Sequence, residues 1–102
     1  MELDVKCEGT RVFFEIGGII DAQGAEALDN SFNELDTANV NELVLDFGNV
    51  GYIGSAGVGK LLKFYKELTA KGGKLRVENV TGMVHELLTI TKMDTFFGVS
   101  TA

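Results

Sequence analysis

Apolar and polar residues alternate from the start of the chain, Leu3, Val5 and Cys7 against Asp4, Lys6 and Glu8. Period two predicts a strand with one buried face, and it sends Cys7 toward the core. Gly9-Thr10 is a turn candidate. Val12, Phe14 and Ile16 then alternate with Arg11, Phe13 and Glu15, so the two runs predict a hairpin. Gly17-Gly18 breaks the pattern, and Ile19-Ile20 continues it. From Asp21 the period lengthens. Ala25, Leu28, Phe32 and Leu35 share one helical face, while Glu26, Asp29, Asn30 and Asn33 fall elsewhere and are expected in water. Asp21 is placed to cap this helix, its carboxylate accepting from free backbone N–H groups.

Leu43-Val44-Leu45 with Phe47 predicts a buried strand, and Gly48-Asn49-Val50-Gly51 predicts a loop. A second helix is predicted from Ser55 to about Lys71, with Val58, Leu61, Leu62, Tyr65 and Leu68 as its apolar stripe. Lys63, Glu67 and Lys71 form an exposed ladder at spacing four, and Gly72-Gly73 ends the helix with a left-handed cap. Leu75 and Val77 mark another strand. Thr81 caps a third helix that turns Val84, Leu87 and Leu88 inward. Met93, Phe96, Phe97 and Val99 form an apolar tail, read as a short last strand or a packed turn. Strands alternating with helices predict an α/β domain: a mostly parallel sheet of four to five strands with an N-terminal hairpin and helices packed on it. In such sheets partners meet the loops at the carboxyl ends of the strands, here the loops holding Asp21, Ser55 and Asn79.

The length, 102 residues, favours one domain spanning 1–102. Net charge is −6, divided unevenly. Residues 1–50 carry eleven acids and two bases (−9), and residues 51–102 carry four acids and seven bases (+3). An acidic chain is a poor non-specific ligand for nucleic acid, so none is expected as a partner. The one cysteine excludes an internal disulfide and four-cysteine zinc sites and fits a reducing compartment. With no secretory leader and no apolar run of membrane-spanning length, the chain is expected to be cytoplasmic. No metal or cofactor is expected. His85 stands alone on its helix and reads as a surface or partly buried histidine.

Gly54-Ser55-Ala56-Gly57-Val58-Gly59-Lys60-Leu61 nearly matches a phosphate-binding loop. Leu61 stands where that loop needs a Mg²⁺-binding hydroxyl, and the apolar spacing puts Lys60 inside the helix, so nucleotide hydrolysis is disfavoured. A hydrolase triad with His85 is disfavoured too, since Ser55 lacks the Gly-x-Ser-x-Gly elbow. The plain reading is that Ser55 caps the helix. A serine so placed is also exposed, and phosphate there would sit beside the positive end of the helix dipole. The lysines of this helix, Lys60, Lys63, Lys66 and Lys71, read as solvated, or as a docking surface for an acidic partner.

The segment from Val44 to Leu62, followed by Gly72-Gly73-Lys74-Leu75-Arg76-Val77-Glu78-Asn79-Val80 and Val84-His85-Glu86-Leu87-Leu88, closely resembles the STAS domain of bacterial anti-sigma factor antagonists. Gly17-Gly18-Ile19-Ile20-Asp21-Ala22 resembles that family's loop after its second strand, and the resemblance covers residues 9–97. It implies a non-enzymatic partner-switching protein. The unphosphorylated antagonist binds an anti-sigma factor that is also a serine kinase, the kinase phosphorylates the antagonist, and a serine phosphatase resets it. By the resemblance Ser55 is the phosphorylated residue, with Asp21, Gly54, Ser55, Ala56, Gly57 and Lys60 at the partner surface. Two features depart from the family. Gly54 stands where Asp is usual, which favours an alternative role as a non-phosphorylated adaptor in a transporter or sensory complex. Members also often carry a C-terminal helix after the point where this sequence stops, which leaves Phe96 and Phe97 short of cover and admits a weak homodimer.

Overall fold

In the computed structural model, which describes residues 1–101, the chain runs β1 (Glu2–Glu8), β2 (Arg11–Ile20), α1 (Ala22–Asn33), β3 (Glu42–Ile53), α2 (Ser55–Ala70), β4 (Lys74–Val80), α3 (Gly82–Ile90) and β5 (Gly98–Thr101). Turns of 3-10 helix at Thr37–Asn39 and Met93–Thr95 complete the path. The strands form one sheet in the order β1-β2-β3-β4-β5. β1 and β2 are the antiparallel hairpin, and every later pairing is parallel. Each crossover moves one strand in the same direction, so right-handed connections put all three helices on one face of the sheet.

That face holds the core. Val12, Phe14, Leu43, Leu45, Leu75 and Val77 pack under Leu28 and Phe32 of α1, Leu61, Phe64 and Leu68 of α2, and Val84 and Leu88 of α3. Phe32 and Phe64 stack with ring centroids 4.2 Å apart, joining α1 to α2. The opposite face is a lattice of charge. Arg11 Nε donates to Glu42 at 2.8 Å, Arg76 reaches Glu78 at 3.2 Å, and the Arg11 guanidinium lies 5.0 Å over the Phe13 ring. Val44 is buried on this face, in the row between Phe13 and Arg76. α2 ends as expected. Gly72 adopts a positive φ of 80°, and Gly73 N–H donates to the Leu68 carbonyl at 2.8 Å.

Several expectations are corrected. Val5 and Cys7 point to the helix side but are exposed. The crossovers run from β2 to β5 and leave the edge strand β1 without a helix above it. Residues 48–51 are strand, not loop. β3 carries one extra residue at two places, where Glu15 and Gly17 face Asp46 and Asn49, and where Gly18 and Ile19 face Val50 and Tyr52. Such bulges destroy period two while keeping the strands paired. The apolar tail is both things expected of it, a 3-10 turn and then β5. Phe97 is not short of cover: it is buried in the core, with Tyr65 tilted against it at 6.1 Å, while Phe96 stays half exposed.

The largest correction is electrostatic. Asp29, expected in water, is only 9% exposed. It lies four residues after Ala25 and three before Phe32, on the stripe that faces α2. There it accepts from Lys63, and from Lys60 at 3.1 Å; Glu26 stands 3.6 Å from Lys60. Lys60 and Lys63 are therefore paired rather than solvated, and no exposed ladder forms through Lys63. The hydrogen bond from Lys63, aided by that from Lys60 against the opposing effect of burial, holds the Asp29 carboxyl below its ordinary value of 3.8. A depressed carboxylate contributes stability above its unfolded-state pKa and loses it as pH falls through the lower folded-state value. Asp29→Asn should lower unfolding free energy by about 1 kcal/mol at neutral pH, a charged hydrogen bond discounted for the lysines' exposure. In urea titrations the gap between variant and wild type should close as pH drops below 3.8; a gap independent of pH would contradict the assignment.

Candidate functional site

The carboxyl ends of β2 and β3 lie side by side, tied by a hydrogen bond from Gly54 N–H to the Ile20 carbonyl at 2.9 Å. Immediately after them the chain opens α1 and α2. Asp21 is the N-cap of α1 as expected, its Oδ1 accepting from Gly24 N–H at 2.8 Å. α2 differs from expectation. Its N-cap is Gly54, in extended conformation with φ −88° and ψ 176°, and Ser55 is the first helical residue. No side chain caps this helix, so the exposed Ser55 hydroxyl is not consumed by its own backbone, and the N–H groups of the first turn have no side-chain acceptor. Thr81 likewise takes the N-cap position of α3 without bonding it.

Two glycines shape this end. At Gly57 a Cβ would lie 2.7 Å from Ile53 Cγ1 and 2.8 Å from Ile20 Cγ2, both in side chains that are fully buried. α2 thus rests directly on the ends of β2 and β3, and only glycine permits that approach. At Gly54 a Cβ would meet only ordinary contacts, 3.5 Å from the Tyr52 hydroxyl and 3.7 Å from the Ile20 carbonyl. The backbone there would accept the Asp that the family usually carries.

Of the residues singled out in the sequence, Asp21, Gly54, Ser55 and Ala56 share the carboxyl end of the sheet, and Gly57 lies buried beneath them. Lys60 is turned toward α1 and held by Asp29, an arrangement that leaves the phosphate-loop resemblance without its lysine. Asn79 lies within β4 with a positive φ of 59°. Its Nδ2 donates to Asp46 Oδ1 at 3.1 Å, and the same oxygen accepts from Gly48 N–H, so this pair braces the β3 bulge rather than joining the site. Among the described residues no three His, Cys, Asp or Glu side chains gather as a metal site, and no helix is long and apolar enough to cross a membrane.

Sequence reasoning missed the groove beside Ser55. It has a volume of about 420 Å³ and lies between the start of α2 and the length of α3. Ser55 is at one end, Tyr52 and Val58 form one wall, and Met83, Leu87 and Ile90 form the other. A signal for it was present: α3 carries apolar residues around more than one face.

The family model for the STAS domain matches residues 2–102. The chain belongs to the STAS domain family. Solved structures agree in fold. An anti-sigma factor antagonist from Mycobacterium paratuberculosis is 22% identical with a TM-score of 0.86, over 99% of this chain and 86% of that one. The phosphorylated form of the Bacillus cell-fate determinant SpoIIAA is 17% identical with a TM-score of 0.78, over 98% and 92%. A sulfate transporter family protein from Wolinella succinogenes is 19% identical with a TM-score of 0.75, over 86% and 74%.

In this STAS domain the close seat of α2 makes Gly57 the most constrained site residue. Gly57→Ala should cost about 1–3 kcal/mol, the usual range for forcing a methyl into a packed core. Chemical denaturation checks it; an unchanged midpoint would mean that Ile20 and Ile53 give way freely.

Proposed function

We propose that the chain is a single-domain, cytoplasmic, non-enzymatic anti-sigma factor antagonist that switches partners through phosphorylation of Ser55. The observation that carries this reading is the free, exposed Ser55 hydroxyl at the uncapped start of α2, on a backbone fixed by Gly54 and Gly57. A hydroxyl used as a cap would have to abandon its helix to enter a kinase site; this one does not. The partner is an anti-sigma factor that doubles as serine kinase, and it reads the end of the domain formed by Asp21, Gly54, Ser55 and Ala56. Gly57 and Lys60 act beneath that surface, Gly57 by seating α2 and Lys60 by fixing it to α1 through Asp29.

Phosphoryl transfer from ATP replaces the Ser55 O–H bond with O–P, ADP leaves, and the proton passes to the kinase's base. The new group brings about −1.5 to −2 charge. Beside the open N–H groups of α2 it is stabilised by about 0.3–1 kcal/mol, so the fold persists. Next to the exposed carboxylate of Asp21 it makes this end of the domain strongly negative, and a partner surface fitted to a neutral hydroxyl is expelled. A serine phosphatase restores the first state.

Gly54 favours a second reading, a non-phosphorylated adaptor in a transporter or sensory complex, since the family's acidic residue before the serine is missing. Intact mass of protein recovered from its native cells separates the two. The switch predicts one added phosphate in wild type that disappears in Ser55→Ala. Absence of phosphate under every growth condition would overturn the switch and leave the adaptor.

A further inference from the structure

α3 is apolar on two faces. Val84 and Leu88 enter the core, while Met83 and Ile90 stand 67% and 76% exposed on either side of half-buried Leu87. Met83, Leu87 and Ile90 follow at i, i+4 and i+7, which places them along one seam of the helix. Across the groove Tyr52 is 46% exposed. A helix apolar on both faces is normally covered on both, and clustered exposed apolar side chains mark a contact surface.

We propose that this groove receives an amphipathic helix of the partner protein, apolar along one seam and carrying a Lys or Arg set against Glu86. The inference rests on the reading of the domain as a partner-binding module. An apolar seam at i, i+4 and i+7 is complementary to another helix with the same spacing, which packs its side chains between those of α3. Charge selects the occupant. Glu86 is the only charged residue lining the groove, and the chain carries −6 overall. A second copy would bring another Glu86 and the same net charge against it, whereas a basic amphipathic helix pairs with both. Ser55 lies at the end of the same groove, so a helix seated there is within reach of the switch.

The test titrates the isotope-labelled protein with a panel of helical peptides carrying Leu, Ile or Phe along an i, i+4, i+7 seam. Each peptide has a flanking Lys, and each has a twin with Glu in its place. Amide signals of Met83, Leu87 and Ile90 should shift, and the Lys peptides should bind about three- to fivefold more tightly than their twins, the range of one partly exposed ion pair. Glu86→Lys should reverse the preference. Four results would overturn the proposal: no peptide shifting these residues, equal affinity for both twins, shifts that depend on protein concentration alone (a second copy), or saturation by decanoate but by no peptide (a small apolar ligand). The titration needs neither kinase nor phosphate, so its failure is separable from a failure of the Ser55 reading by intact mass.

Discussion

The contact on which the functional end depends is the seat of α2 on the ends of β2 and β3. Gly57 has no room for a methyl group against Ile20 and Ile53, and the Gly54-to-Ile20 hydrogen bond fastens the same two strand ends. From these two constraints follow the position of Ser55, its neighbourhood with Asp21 and the open first turn of α2. Interiors packed at this density move little, so the serine is presented on a fixed backbone rather than on a flexible loop.

A second clamp acts along the helices. Asp29 reaches across from α1 to Lys60 and Lys63, beside the stacked rings of Phe32 and Phe64. Acidic and basic halves of the sequence thus meet inside one structure, and part of the charge asymmetry is spent on internal pairs. Glu42 with Arg76 on the open sheet face repeats the arrangement at longer range. What remains at the Ser55 end is acidic and apolar: Asp21, Glu86 and the seam of α3.

Much of this was legible in the residues. The hairpin, the Asp21 cap, the glycine stop after α2 and the run of alternating strands and helices each carry a local signal, and local signals survive folding. Long-range consequences were not legible. Gly48 to Gly51 reads as a loop because two bulges erase its alternation, although the backbone stays paired. Cys7 alternates like a core residue, yet its burial depends on a helix that never reaches β1. Asp29 and Lys60 look like solvated charges until α1 and α2 are brought together. The groove beside Ser55 depends in the same way on the spacing between α2 and α3, which no single segment encodes.

The central claim is that phosphate on Ser55 changes the surface of the domain and not its fold. Backbone amide shifts and hydrogen exchange, compared between protein carrying phosphoserine at position 55 and unmodified protein, test this directly. The account predicts shifts confined to Ile20–Asp21, the first turn of α2 and the adjoining end of the groove, with unchanged protection of the core amides of β2, β3 and β4. Loss of protection across those strands, or shifts spread over the whole sheet, would contradict it.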